Sequence, residues 1–527
     1  MKRPTTFPLF HQNEARSFEE SRLQGDSDRT LAAMKNAGRA IGASLLRDYP
    51  EFAPWPERPR ILVLAGKGHN TGDALVACHR LAEDLPGLRV TLLLTTGREN
   101  WSELTAACGK ELEEALGDRL DSLSLEEWRN GARAAGDFEV VMDGLYGLGF
   151  KPPLQDAIAE LFDGFRDPEE APVRVAVDVP SGVGEETSPR AFPADLTYIP
   201  GVAKEALFRP DAFAFAGRCR FLEIDPFRDQ PVDAGGQPLE LCAPQAFRVL
   251  NRMRPARSDK RTFGHALVLA GSLQMPGAAV MATKAALQAG AGLVTTLTPG
   301  TLAPQIAGHA PEAMWRPLHL SKDGGLDVDA VRILAKLASN AHSLLIGPGL
   351  ILDRSTLFTV CRIVREIQLP LVLDASALTQ DVMTAVLARG TTAGPVVVTP
   401  HEGEFLRMNA FKEDAARRDN VAMYSERYRC TVVLKGHPTL IAEGNRTAIA
   451  PYGGPVLARG GTGDLLSGML VTLLGQQPQS AFDAAVRAVT WHAAAGDALA
   501  RERGSCAVTT TEILPHLSTV LREEPTS

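Results

Sequence analysis

Short apolar runs alternate with longer stretches whose apolar positions recur every three to four residues along most of the chain. In the first half the runs are RILVLAG at 60–66, VTLLLTT at 90–96, FEVVMDG at 138–144, VRVAVDVPSG at 173–182, DLTYI at 195–199 and RCRFLEI at 218–224. Stretches such as ALVACHRLAEDL at 74–85 carry the helical period between them. Strands alternating with amphipathic helices predict a parallel sheet flanked by helices. Residues 13–46, ahead of the first run, read as helices packing on that layer. The stretch beginning PFRDQPVDAGGQPLELCAP at 226 has neither period and is rich in Pro, Gly and Asp, so it reads as a linker.

A second series of the same kind opens at His265 with HALVLAGS. It continues through LVTTLTP, SLLIGPG, PLVLDAS, PVVVTP, TVVLKG and TLIAEG, and ends in a Gly-rich turn before the apolar helix LLSGMLVTLLG. The two series share a class but no motif in register, which points to a fusion and not to an internal repeat. The expected organisation is an α/β chain with a first domain over 1–225, a linker over 226–256 and a second domain over 257–527.

Composition narrows the choice of function. At 527 residues, with 45% hydrophobic and 22% charged positions, the chain can bury more than one large core. A formal net charge of −8 offers no basic surface for a phosphate backbone, so no nucleic-acid partner is expected. The seven cysteines are scattered without a CxxC pair or zinc spacing and read as reduced, mostly buried thiols. Residues 1–17 lack the apolar stretch of a signal peptide, and the apolar runs are far too short to span a bilayer. A cytoplasmic enzyme with no membrane partner is the expectation.

Candidate chemistry in the first half gathers at strand ends. GKGHNTGDALVA at 66–77 follows a strand and opens a helix, where glycines allow close approach and free amides favour an anion. Its glycines do not follow GxGxxG, so a tight structural turn is an equal reading. Asp143 ends one strand and Asp178 another, the latter followed by Val179, Pro180, Ser181 and Gly182. In an open parallel sheet these loops converge on one edge. Asn70, Asp143 and Ser181 supply hard oxygen donors suited to an alkali or alkaline-earth cation. Asp178 can accept a hydroxyl or move a proton.

GKGHNTGDALVA, MDGLYGLGF, VDVPSGV and ADLTYIPGVAKEAL, in that order, resemble the NAD(P)H-hydrate epimerase domain, or YjeF N-terminal domain, over about residues 12–225. The resemblance implies a Rossmann-like three-layer fold. It also implies that His69, Asn70, Thr71, Gly72, Asp73, Gly147, Leu148, Gly149, Phe150, Lys151, Pro152 and Pro153 line the hydrate site. Asp178 would contact substrate as the proton carrier, and Asn70, Asp143 and Ser181 would hold potassium. The family usually reads NNGGDG where this chain has HNTGDA, so His69, Thr71 and Ala74 add side chains to a loop that needs close backbone approach.

The sharpest motif of the second half is ARGGTGDLLSGML at 458–470. Gly460, Gly461 and Gly463 let successive amides point at one spot in front of a helix start, with Asp464 in its first turn. As a plain helix-start carboxylate Asp464 would be a poor base; beside an anionic phosphate it could orient or deprotonate a hydroxyl. KGHPT, covering Lys435, Gly436, His437, Pro438 and Thr439, joins two strands and offers a cation and a hydroxyl to phosphates. His401 stands at a strand-to-helix turn, where a cap is the commoner role.

Together with FGHALVLAGS, MPGAA, GAGLVT, IGPG, VLDASAL and TPHEGE, these pieces resemble the ADP- or ATP-dependent NAD(P)H-hydrate dehydratase, the YjeF C-terminal domain with a ribokinase-like fold, from about 258 to about 517. The resemblance implies phosphorylation of the hydrate hydroxyl by ADP or ATP, followed by elimination to NADH or NADPH. Ala279, Gly349, His401 and Asp464 would then contact the hydrate, with Asp464 catalytic, while Lys435 to Thr439 and Gly463 would contact nucleotide. Where the family tends to read DADAL this chain has Asp374-Ala-Ser376-Ala-Leu, a missing carboxylate that would weaken magnesium binding. The partners implied are hydrated NADH and NADPH, ADP or ATP, and at most further copies of the same chain. The alternative is a ribokinase-like kinase of a small metabolite with a non-catalytic first domain.

Overall fold

The computed structural model describes residues 5–147, 149–166, 172–228, 230, 239–251, 254–322, 325–390, 392–408, 417–477 and 479–523. Leu148 lies outside the described residues. The chain forms two compact units, one chiefly Phe7–Gln237 and the other chiefly Pro238–Leu499 with Ser505–Glu523. Among the described residues no helix is long and apolar enough to cross a membrane.

The first unit is built on seven strands: β1 (Arg60–Ala65), β2 (Arg89–Leu94), β3 (Leu120–Ser124), β4 (Val140–Gly144), β5 (Val173–Val177), β6 (Leu196–Pro200) and β7 (Arg218–Leu222). Their spatial order is β3-β2-β1-β4-β5-β6-β7, parallel throughout. The apolar runs are continuous because both faces are covered. Ile61 and Val63 pack into one core with the helices Ser27–Asp48 and His69–Asp84, whereas Leu62 and Leu64 pack into a second with Ile158 and Phe162. This is the expected three-layer, doubly wound arrangement. The strand order reverses between β1 and β4, so the loops after them diverge and open a crevice at the carboxyl edge.

Small residues seat the helix that borders this crevice. A Cβ on Gly38 would lie 2.4 Å from the Val76 Cβ, and one on Gly42 would lie 2.6 Å from the Ala77 carbonyl oxygen. The two helices thus meet backbone to backbone, which fixes the start of His69–Asp84 against the β1 and β4 ends.

The second unit contains β8 (Leu239–Cys242), β9 (His265–Leu269), β10 (Leu293–Pro299), β11 (Met314–Leu318), β12 (Ser343–Ile346), β13 (Leu371–Leu373), β14 (Val396–Val398), β15 (Thr431–Leu434), β16 (Thr439–Glu443) and β17 (Arg446–Ala450). They lie in the order β8-β17-β16-β15-β14-β13-β12-β9-β10-β11. Only the β15–β16 and β16–β17 pairings among these are antiparallel. The stretch 226–256, read as linker, contributes β8. Leu239 and Leu241 point inward, and Glu240 pairs with Arg446 at 2.6 Å, a period-2 signal too short to stand out among the surrounding Pro and Gly.

The apolar helix Thr462–Gln476 lies deep in this unit beside the helix Pro276–Gln288. A Cβ on Gly468 would fall 2.2 Å from the Ala282 carbonyl oxygen. Thr472 donates to the Ala286 carbonyl at 3.0 Å, and Ser343 on β12 donates to the Val471 carbonyl at 2.7 Å. The helix is locked lengthwise, so its glycine-flanked start is held at the carboxyl edge of the sheet.

The substitution Gly38→Leu should force the two helices of the first unit apart. The expected cost is about 1–3 kcal/mol, read as a lowered denaturation midpoint for that unit.

Candidate active sites

In the first unit the carboxyl ends of β1, β4 and β5 bring the cation candidates together. Asp143, 1% exposed, accepts from the Ser181 amide and hydroxyl, each at 2.7 Å, and from the Leu145 amide at 3.2 Å. The Ser181 hydroxyl oxygen also accepts from the Tyr146 amide at 2.9 Å. The Asn70 side-chain amide donates to the carbonyls of Val177 at 3.0 Å and Tyr146 at 3.3 Å. A Cβ on Gly147 would sit 2.5 Å from Asn70 Oδ1, so this glycine is needed for the loop to close over Asn70. Burial pushes the Asp143 carboxyl up to about 6 against the pull of its Ser181 and Leu145 donors. A bound cation would relieve that burial penalty, and the oxygen donor set fits an alkali ion.

The altered loop is absorbed structurally. Thr71 is fully buried, accepts from the Gly66 amide at 2.8 Å and donates to the Gly144 carbonyl at 2.9 Å. Its side chain ties the β1 loop to the β4 end instead of entering the crevice. Gly72 faces Met34 and is packed away from the site, whereas His69, Lys151, Pro152 and Pro153 are exposed at its rim. Phe150 is buried against Tyr146, ring centroids 5.8 Å apart.

Asp178 follows β5 with a φ of +69°, a left-handed conformation that few non-glycine residues adopt. Its amide donates to the Tyr198 carbonyl at 2.8 Å, and its carboxylate meets Lys204 Nζ at 2.5 Å. Glu19 lies 3.5 Å from the same ammonium. Asp73 belongs to this group electrostatically. Burial holds its carboxyl well above the ordinary range, Asp178 and Glu19 add to the effect, and Lys204 opposes it. Lys204 and Glu19 were not singled out from the sequence. Lys204 stands in the GVAKEAL run that carried the resemblance, while Glu19 lies in a polar helix without any distinguishing pattern.

In the second unit Gly461 has a φ of +91° and lies against Met281, so the turn before the helix start requires glycine on both counts. The Gly460 carbonyl accepts from the Thr510 hydroxyl at 2.8 Å, and Arg459 ties the loop to the Cys506 carbonyl at 2.8 Å. A Cβ on Gly463 would be 3.2 Å from Lys435 Nζ and 3.9 Å from Asp374 Oδ2. The ammonium therefore stands directly over the bare helix start.

Lys435 pairs with buried Asp374 at 2.9 Å and approaches Glu404 at 3.9 Å. Burial would lower the ammonium, but Asp374, Glu404 and Asp464 together hold it above its ordinary value. Asp464 is partly buried; burial, then Asp374 and also Glu404, push its carboxyl up to about 7, with Lys435 pulling the other way. A helix-start aspartate would ordinarily be a strong acid, and here its surroundings bring it into the range of a general base.

His401 begins the helix Glu402–Met408 as a cap. Its Nδ1 accepts from the Glu404 amide at 3.3 Å while its own amide donates to Glu404 at 2.8 Å, and its side chain remains 56% exposed. The Lys435 amide donates to the Pro400 carbonyl at 2.8 Å, which brings the 401 turn alongside the lysine. Gly436 and His437 are exposed and Pro438 half-buried in the turn into β16, whose first residue Thr439 donates to the Gly436 carbonyl at 3.0 Å. Gly349 abuts Met275 and Ala278, whereas Ala279 is fully buried beneath Gly271 and offers no surface. Ser376 donates to the Leu350 carbonyl at 2.6 Å. Glu404, within TPHEGE, is the carboxylate here that sequence reasoning passed over.

Both units resemble known proteins. A family described as NAD(P)H-hydrate dehydratase matches residues 266–518, and one described as YjeF-related protein N-terminus matches residues 30–206. A bifunctional NAD(P)H-hydrate repair enzyme of Moorella thermoacetica is 31% identical over 94% of this chain and 92% of its own length. The chain belongs to that family of repair enzymes. The Gloeobacter violaceus member is 33% identical over 89% of both chains. A solved ADP/ATP-dependent NAD(P)H-hydrate dehydratase from Bacillus subtilis, co-crystallised with ATP and Mg2+, is 29% identical. It covers 53% of this chain and 98% of its own, with a TM-score of 0.45.

Thr71→Val keeps the volume of the side chain but strips two buried backbone groups of their partner. The first unit should lose about 1–3 kcal/mol, measured by chemical denaturation.

Proposed function

We propose that the chain restores damaged NADH and NADPH by two reactions, one per unit, and that the residues assembled above carry them. Hydration of a dihydronicotinamide ring places a hydroxyl on the carbon next to the ring nitrogen. The second unit dehydrates one isomer of that alcohol at the expense of ADP or ATP. The first unit interconverts the isomers, so that both can be repaired.

In the second unit the hydroxyl oxygen attacks the terminal phosphorus of the nucleotide, and the phosphoryl group passes to the substrate. The phosphate then departs, the ring loses a proton, and the double bond re-forms. Amides at the 460–464 helix start and the Lys435 ammonium stabilise the charge that develops on the phosphoryl oxygens. Asp464, poised near neutrality, takes the hydroxyl proton. Lys435 to Thr439 hold the nucleotide phosphates together with Gly463, and Gly349 and His401 border the hydrate. Asp374 would help hold magnesium, which would offset the charge of the nucleotide phosphates; Ser376, committed to a backbone carbonyl, adds no carboxylate. The observation that carries this reading is the joint placement of Lys435 and Asp464 over a glycine-flanked helix start.

In the first unit Asp178 is the proton carrier at the substrate, and Asn70, Asp143 and Ser181 hold potassium. The ion would fix the loops after β1, β4 and β5 and favour a developing negative charge. His69, Asp73 and the 147–153 loop line the hydrate.

Asp464→Asn should abolish nucleotide-dependent recovery of nicotinamide absorbance from the hydrate while the thermal transition is unchanged. Retained turnover would remove Asp464 from the role of base. For the wild-type chain, kcat/KM for dehydration should fall about tenfold per pH unit below about 7, because the base must be ionised. Asp178→Asn should slow isomer exchange alone, monitored by chromatography of the two hydrates with and without potassium.

A further inference from the structure

The first site contains a charge cluster for which proton transfer by Asp178 alone does not account. Lys204 is 3% exposed, yet its ammonium lies 2.5 Å from Asp178 and 3.5 Å from Glu19, with Asp73 within electrostatic reach. The charged groups that act on it are Glu19 from the helix Gln12–Leu23 and Asp178 from the end of β5; Arg16 of the same helix acts on Glu19, and Asp73 from the helix His69–Asp84 feels Asp178, Glu19 and Lys204. Burying an ammonium is costly unless its partners are well placed, and here the carboxylates of Asp178 and Glu19 share it. Asp178 is moreover held in a left-handed backbone conformation, which persists only where the surroundings over-determine it.

We propose that Lys204 is a positioning residue of the isomer-exchange site, clamping Asp178 against Glu19 so that Asp178 and Asp73 divide the proton transfers between them. The inference rests on the isomer-exchange reading of the first unit. Exchange at a carbon bearing both nitrogen and hydroxyl needs an acid and a base. The C–O bond breaks as the oxygen takes a proton from a carboxylic acid and leaves as water, and the nitrogen lone pair forms C=N. Water then adds to the opposite face, its proton goes to a carboxylate, and the C=N electrons return to nitrogen. No atoms are gained or lost and no oxidant is required. Asp73, whose carboxyl is pushed toward its protonated form by burial and by its carboxylate neighbours, is the acid. Asp178, paired with the ammonium, is the base.

The two charges around Asp73 act in opposite directions, which gives a test that a merely structural lysine would not satisfy. The full chain is assayed for exchange between purified hydrate isomers from roughly pH 5 to 9. In Lys204→Met the alkaline limb of kcat should move up by about one pH unit, because the cation that favours Asp73 ionisation is gone, with kcat down about 100-fold and KM within about twofold. In Glu19→Gln the same limb should move down, and Lys204→Arg should restore the wild-type profile. A limb unmoved in both charge-altering variants overturns the inference. Should Lys204→Met fail to fold, the direction of the Glu19→Gln shift decides alone. A wild-type chain that does not interconvert the isomers overturns the exchange reading and this inference together; an active wild type with unmoved limbs overturns only the latter.

Discussion

In each unit a buried carboxylate at the carboxyl end of a parallel strand is paired with a lysine that follows another strand of the same sheet. Asp178 follows β5 and meets Lys204, which lies just beyond β6, at 2.5 Å; Asp374 follows β13 and meets Lys435, which ends β15, at 2.9 Å. A lone buried charge is costly, and each pair sets an opposite charge against the buried one. The pairs therefore come before the chemistry. They hold the loops at the sheet edge, and they create the electrostatic field in which the remaining carboxyl groups titrate.

Those remaining groups show how one arrangement serves two ends. In the second unit the ammonium stands over an open helix start and leaves Asp464 partly accessible, so the carboxyl is raised only to about 7 and is ready to accept a proton. In the first unit the lysine is sealed between Asp178 and Glu19, and burial with its carboxylate neighbours raises the Asp73 carboxyl as well.

Much of this was legible in the chain because the signals were local. Runs such as RILVLAG and PVVVTP announced strands covered on both faces, and the glycines at 460, 461 and 463 announced a backbone that must come close to a ligand. The strand β8 was hidden, since Leu239, Glu240 and Leu241 alternate over too few residues to rise above the prolines and glycines around them. Glu19, Lys204 and Glu404 escaped for a different reason. Each acquires its meaning only from residues brought beside it by folding, across separations of 185 positions for Glu19 and Lys204 and 31 for Glu404 and Lys435. Periodicity carries no record of such pairings.

The departures from the family pattern had suggested a compromised first site and a weakened second one, and the packing reframes both. Thr71 and Ser376 replace a glycine and a carboxylate, and each turns its hydroxyl to a backbone carbonyl, of Gly144 and of Leu350. A hydroxyl so engaged adds neither bulk nor charge to a cavity. Thr71 ties the loop after β1 to the end of β4 through the Gly66 amide and the Gly144 carbonyl. Ser376 steadies the turn after Asp374, yet it cannot restore the missing negative charge. The two substitutions are therefore unequal: the first ties its loop to the end of β4, while the second leaves Asp374 as the one carboxylate of its 374–378 motif.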